Sequence, residues 1–188
     1  RTCSARKQHS GTMPRSDFLL RRARLANLAA LVRLEECFPS DQLSRRNFWH
    51  LLKHGNADIW VAEAQGALVG NVVLFYRRHA RVARVYSLVV HPEHQRRGVA
   101  GALMQAAESA ALDRGCHTMR LEVRTDNTAA IALYQRLGYV ITDSIDNFYE
   151  DGAKALRLNK PLTGGTDRPT RNPRPRQEPA RAVSCPTA

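Results

Sequence analysis

A chain of 188 residues with 43% hydrophobic content can form one domain with its own core. Its formal net charge of +12 favours anionic ligands or partners, and no run approaches the 18 apolar residues of a membrane-spanning helix. Cys3, Cys37, Cys116 and Cys185 are scattered, without CxxC or a Cys/His cluster at zinc spacing. That excludes a disulfide scaffold and a zinc module, and leads us to expect a cytoplasmic protein with reduced thiols and no metal.

Charge is unevenly spread. Residues 1–16 carry Arg1, Arg6, Lys7 and Arg15 with no acid. They lack a signal-peptide apolar core, and Met13 inside the segment suggests a trimmed or misassigned start. We expect a basic, disordered extension over 1–16 and one domain over 17–162. Residues 163–188 mix five prolines with five arginines, a composition too polar to offset chain entropy, so a disordered tail is expected there. Such tails offer nucleic acid or ribosome a contact; the plainer reading is that they are solvated.

In chain order, a first strand is expected over 18–23. Leu25, Leu28, Leu31 and Val32 give a helical stripe ending near Phe38-Pro39. Ser40-Asp41 can cap a second helix over 43–54, with Leu43, Phe48, Leu51 and Leu52 as its buried face. Residues 59–62 and 68–76 read as a hairpin joined through Gln65-Gly66, and 77–81 as a basic turn. A strand over 85–90 ends at His91-Pro92, because proline has no N–H to donate. A polar loop leads into a helix from Val99 to about Ala111, with Gly115 placed to end it. Strand 118–123, helix 129–137 stopped by Gly138, strand 139–144, and strand 153–159 after Asp151-Gly152 complete the domain. The order implies an α/β fold, a mixed sheet with helices on both faces.

The loop between strand and helix carries the chemistry. The first turn of a helix has N–H groups without intrahelical partners, and the helix dipole adds positive charge. Gly98 and Gly101 lack Cβ and Ala100 has only a methyl, so a diphosphate can approach the backbone, while Arg96 and Arg97 add fixed charge. Neither GxGxxG nor GxxxxGK[ST] occurs. His91 and His94 share the loop without a further ligand and read as loop residues.

Gln95-Arg96-Arg97-Gly98-Val99-Ala100 resembles the acetyl-CoA loop of the GNAT acetyltransferases, whose pattern is Gln/Arg-x-x-Gly-x-Gly/Ala. Downstream, Leu121-Glu122-Val123-Arg124, the run Asn127 to Tyr134, and Leu137-Gly138-Tyr139 resemble the bacterial RimI group, the ribosomal-protein-alanine N-acetyltransferases. The resemblance covers about residues 85–158. It implies the GNAT fold and acetyl-CoA as cosubstrate. The implied cofactor-binding residues are Leu88, Val89, Val90, Arg96, Arg97, Gly98, Val99, Ala100, Gly101 and Asn127. It further implies Glu122 as proton acceptor, Tyr134 as proton donor and the backbone of Leu88 to Val90 as the seat of the acetyl group.

Plainer roles compete at each position. Strand alternation puts Arg120, Glu122 and Arg124 on one face, where Glu122 can be an ion-pair partner. Tyr134 can be a core aromatic, and Asn127 a helix cap. The acceptor implied is a protein or peptide N-terminus, a ribosomal protein among them, or else a small cationic amine such as a polyamine or aminoglycoside. A non-catalytic acyl-CoA-binding module is the reading from another class. Asp143, Asp146, Glu150 and Asp151, with Glu35, Glu36 and Asp41 opposite, suggest a cationic acceptor on a basic chain. Where the RimI group shows Phe-Pro-Trp, this chain has Phe38-Pro39-Ser40.

Overall fold

Seven strands form one mixed sheet in a computed structural model that describes residues 17–38, 42–54, 57–77 and 80–163. The strands are β1 (Leu19–Arg22), β2 (Ala57–Ala64), β3 (Ala67–Tyr76), β4 (Val82–Val90), β5 (Thr118–Arg124), β6 (Val140–Ile145) and β7 (Ala155–Pro161). Their spatial order is β1-β2-β3-β4-β5-β7-β6. The first four pair antiparallel, β4 and β5 pair parallel, and β7 lies antiparallel between β5 and β6. The expected α/β class, with helices on both faces, is what the chain adopts. The readings of residues 1–16, of 164–188 and of Ser40-Asp41 as a cap lie outside the described residues.

A parallel neighbour needs a crossover, and α3 (Val99–Asp113) supplies it between β4 and β5. Leu103, Met104, Ala107, Ala110 and Ala111 of α3 are buried at helical spacing against β3, β4 and β5, on the face that α4 (Thr128–Arg136) also covers. The other face carries α1 (Leu28–Glu35) and α2 (Arg45–Lys53), which bury Leu28, Leu31, Phe48 and Leu51 against Ile59, Val61 and Val73. A 3-10 turn over Leu25–Asn27 precedes α1. Most element boundaries shift by one to three residues from expectation, and two of the shifts have a plain cause. The cap of α2 is Ser44, whose Oγ accepts from the Asn47 N–H at 3.2 Å, so Leu43 precedes the helix. Strand β4 begins at Val82 rather than 85, because Val82 to Val85 find parallel partners in Thr118 to Leu121.

One glycine sets how closely α3 lies on the sheet. A Cβ on Gly70 of β3 would sit 3.0 Å from the Val89 carbonyl oxygen, 3.0 Å from Leu103 Cδ1 and 3.1 Å from Val99 Cγ1. The carbonyl belongs to the paired strand and cannot step aside. Gly70→Ala is therefore expected to cost about 1–3 kcal/mol through overpacking, read as a lowered Tm in thermal denaturation; an unchanged Tm would show that α3 rides freely on the sheet.

Candidate functional site

Pairing between β4 and β5 runs only from Val82–Thr118 to Val85–Leu121. Beyond that point β4 continues to Val90 and β5 to Arg124, so the two strands part and leave a wedge. Where the wedge opens, β4 bulges: Val73 faces Ser87 and Leu74 faces Val85, so Tyr86 is the extra residue of the bulge. The His91 N–H donates back to the Val69 carbonyl at 2.9 Å. Alternation along the strand then turns the N–H and C=O of Leu88 and Val90 toward the wedge. The Val90 carbonyl indeed accepts on that side, from the Gln95 side-chain amide at 3.2 Å. Leu88 and Val90 thus present backbone polar groups at an open edge, while the N–H and C=O of Val89, expected in the same role, turn toward β3, where Val89 pairs with Asn71.

Immediately after β4, Pro92–His94 makes a 3-10 turn, and the chain turns into α3 with two residues in the left-handed region, Arg96 at φ 61° and Gly98 at φ 81°. A positive φ at a non-glycine residue is strained, and such strain clusters at ligand-binding sites. Gly98 is the N-cap of α3 and gives it no side-chain cap, so the N–H groups of Val99, Ala100 and Gly101 are left to an outside acceptor. Gly101 lies within the first helical turn rather than the loop. A Cβ on Gly98 would meet nothing within 4 Å, and one on Gly101 only Leu137 at 4.0 Å. Arg96 and Arg97 are exposed and make no hydrogen bond or ion pair among the described residues. Uncapped N–H groups, open space above them and two unengaged guanidiniums fit the diphosphate of acetyl-CoA.

Glu122 follows the last paired residue of β5, on the α1/α2 side of the sheet. Its carboxylate accepts from Arg84 Nε at 2.7 Å and from Arg157 Nε at 3.1 Å, and Arg157 reaches on to Asp143 at 3.2 Å. Tyr134 comes from the opposite side, on α4. It is 8% exposed and packs edge-on against Tyr139, ring centroids 5.9 Å apart. Burial, with the nearby Tyr149 phenol, pushes its hydroxyl up to about 12. Asn127 caps α4, its Oδ1 accepting from the Ala130 N–H at 3.1 Å.

The acids at the β6–β7 end do not form the open anionic wall expected from sequence. Asp143 pairs with Arg157, Asp146 with Lys154 at 2.9 Å, and Asp151 with Arg124 at 2.7 Å. The cations come from other stretches of chain, so a window of sequence free of Lys and Arg is still neutralised in space. On the opposite wall, Glu36 is exposed, Asp41 lies outside the described residues, and Glu35 is 3% exposed. Glu35 Oε2 accepts from the Leu43 N–H at 3.3 Å, while Oε1 has no partner among the described residues. Nor has either amide atom of Asn71, which is 0% exposed. Burial raises the Glu35 carboxyl above the usual range; the Leu43 N–H, and Asn71 and Ser87 close by though short of formed bonds, partly oppose it. Asn71 and Ser87 were not read as site residues. The only sequence signal was a polar side chain within each of two otherwise apolar strands.

The fold brings the uncapped start of α3 next to the open β4/β5 wedge. The model of the acetyltransferase (GNAT) family matches residues 27–139, and the chain belongs to that family. An acetyltransferase of Sodalis glossinidius is 39% identical over 94 residues, 50% of this chain and 65% of that relative, so the match spans under two thirds of the relative's length. The ribosomal-protein-S18-alanine N-acetyltransferase of Escherichia coli superposes with TM-score 0.70 at 23% identity, over 81% of this chain and 99% of its own. Ard1 of Thermoplasma volcanium does so with TM-score 0.71 at 26% identity, over 78% and 99%.

Two outcomes follow. Gly98→Ala is expected to lower stability by about 1 kcal/mol, the strain of a left-handed alanine. It should weaken CoA binding at least about ten-fold, read by calorimetry, because the methyl enters the space above the uncapped N–H groups. Glu35→Gln should be at least as stable as the wild type at pH 7, with the advantage growing from pH 4 upward. Below the unfolded carboxyl value near 4.3 both states keep the proton. Above it the unfolded chain ionises while folded Glu35 holds its proton, so wild-type stability falls until pH passes the raised folded value, whereas glutamine does not titrate. A Tm difference independent of pH would contradict this.

Proposed function

We propose that the protein is an acetyl-CoA-dependent N-acetyltransferase that acts on a primary amine by direct attack in a ternary complex. The observation that carries this reading is the parting of β4 from β5 beside the uncapped start of α3. Acetyl-CoA supplies the activated acyl group. The residues proposed to hold it are Arg96, Arg97, Gly98, Val99, Ala100 and Gly101 at the diphosphate, Leu88 to Val90 at the acetyl group, and Asn127 beside it. The Leu88 N–H, turned toward the wedge, would stabilise negative charge on the carbonyl oxygen. Glu122 takes a proton from the attacking nitrogen, and Tyr134 gives one to the departing sulfur.

The raised value of Tyr134 has two consequences. The phenol stays protonated throughout the neutral range and is always ready to donate. A proton moved from a group near 12 to a thiolate whose acid lies near 8.5 would climb roughly 5 kcal/mol if the thiolate were in water. Burial of the sulfur beside the tyrosine raises its own proton affinity and narrows the gap. The donor therefore works only within the closed, apolar setting that α4 provides.

For the acceptor, an α-amine at a protein N-terminus of RimI type is the reading we favour. It is supported by the motif run 121–139 and by the E. coli neighbour named for alanine of a ribosomal protein. The test is a thiol-release screen across Ala-, Ser- and Met-initial peptides, lysine peptides, polyamines and aminoglycosides. Peptide N-termini should give the highest kcat/KM; a polyamine or aminoglycoside ahead of them would move the protein to small-molecule acetylation. Tyr134→Phe should lower kcat by about 100-fold or more with CoA affinity kept. Intact CoA binding with no transfer to any amine by the wild type would leave an acyl-CoA-binding module instead.

A further inference from the structure

Glu35, Asn71 and Ser87 come from α1, β3 and β4 and meet on the face of the sheet that α1 and α2 cover. Asn71 lies two residues before Val73, which belongs to that face, and Ser87 stands directly opposite Val73. Asn71 itself is paired with Val89, within the open-edged end of β4. Three atoms in this cluster, Glu35 Oε1, Asn71 Oδ1 and Asn71 Nδ2, are buried without partners among the described residues. Buried polar groups are almost always satisfied, and a polar site with several convergent donors and acceptors is where an internal water resides. Ser87 is half-buried, at the margin of this cluster, on the sheet face where Glu122 also stands.

We propose that Glu35, Asn71 and Ser87 hold an internal water through which Glu35 receives the first proton shed by the acceptor's ammonium group. This rests on the reading of the protein as an amine acetyltransferase. At neutral pH an α-amine is mostly ammonium and cannot attack until one N–H bond breaks. That proton passes to the water, and a proton of the water passes to the Glu35 carboxylate. The freed nitrogen pair then forms the bond to the acyl carbon while the carbon–sulfur bond breaks, its electrons going to sulfur. Glu122 takes the nitrogen's second proton, Tyr134 gives its proton to sulfur and regains one from Glu122, and Glu35 releases its proton to solvent after product leaves. One proton is released per turnover. Glu35 acts through water and is a positioning and proton-storing residue, distinct from Glu122.

The surroundings suit that role. Charged groups on α1 and on the elements packed against it are turned away or engaged elsewhere. Arg33 of α1, Glu36 at its C-terminal cap and Arg45, Arg46, His50 and Lys53 of α2 are exposed, Arg84 of β4 is held by Glu122, Tyr86 of β4 is exposed, and β3 offers only Tyr76, which bonds Asp58. With burial the largest influence and no cation beside it, the Glu35 carboxyl is raised above the usual carboxylate range.

The experiment is the pH profile of kcat/KM with the best peptide of the screen, for wild type, Glu35→Gln, Ser87→Ala and Glu122→Gln, with Tm and CoA affinity measured alongside. Glu35→Gln keeps an oxygen for the Leu43 N–H. It should retain its fold and CoA affinity yet fall at least about ten-fold at pH 7, a deficit that closes as pH passes the amine value of about 8, where solvent removes the proton. Ser87→Ala should show the same recovery in weaker form, and Glu122→Gln a deficit at every pH. A Glu35→Gln profile parallel to the wild type, or alkaline recovery confined to Glu122→Gln, overturns the proposal. So does a high-resolution crystal structure lacking water within hydrogen-bond reach of Glu35 Oε1 and Asn71, whatever the activity. A wild type that acetylates no amine would instead overturn the functional reading.

Discussion

The separation of β4 from β5 after Val85 and Leu121 is the constraint on which the site depends. A paired parallel edge would use the Leu88 and Val90 N–H groups in a ladder and leave nothing for a ligand. The parting is stable because other contacts hold each strand. Strand β4 keeps its register with β3 as far as Val90–Gly70, and β5 keeps its own with β7 as far as Arg124–Ala155. The bulge at Tyr86 absorbs the change of direction. Because Gly70 lets α3 press against β3 and the Val89 carbonyl, the uncapped helix start is fixed at the mouth of the wedge.

Electrostatics divides the same way. At the α3 start, positive charge is left open: Arg96 and Arg97 stand exposed beside free N–H groups. Across the β5-β7-β6 wing, charge is consumed internally, in the chain Arg84–Glu122–Arg157–Asp143 and in the pairs at Asp146 and Asp151. Such partly exposed pairs add little stability one by one. Their effect is to fix the position of Glu122, whose two oxygens are each held by a guanidinium. Glu35 is the opposite case, a buried acid with one oxygen unclaimed among the described residues.

What the sequence displayed, and what it hid, follows from which atoms do the work. The ligand loop was legible because its demands fall on the backbone: Gly98 must sit at positive φ, Pro92 must end the strand, and Val99, Leu103 and Ala107 must repeat at helical spacing. Each leaves its mark in residue type. The start of β4 at Val82 was obscured by the basic turn before it, since pairing with Thr118 is settled by a strand more than thirty residues away. The acid wall was misjudged for the same reason, its neutralising partners being Arg124, Arg157 and Lys154 from neighbouring strands and turns. Asn71 inside β3 gave only a lone polar letter in an apolar run, which is equally the mark of a satisfied core amide.

A division of labour between the two faces accounts for how much of the function can be read this way. On the α3/α4 face the open polar groups are N–H groups at a helix start and a strand edge, and main-chain groups tolerate sequence change everywhere except at glycines and caps. On the α1/α2 face the polar groups are side chains, set by α1 and by the bulge in β4. There a single side chain sets shape and charge without being fixed by the backbone fold. The first face is therefore written in a motif, whereas the second is written in contacts between separate elements, Glu35 with Leu43, Asn71 with Val89, Glu122 with Arg157.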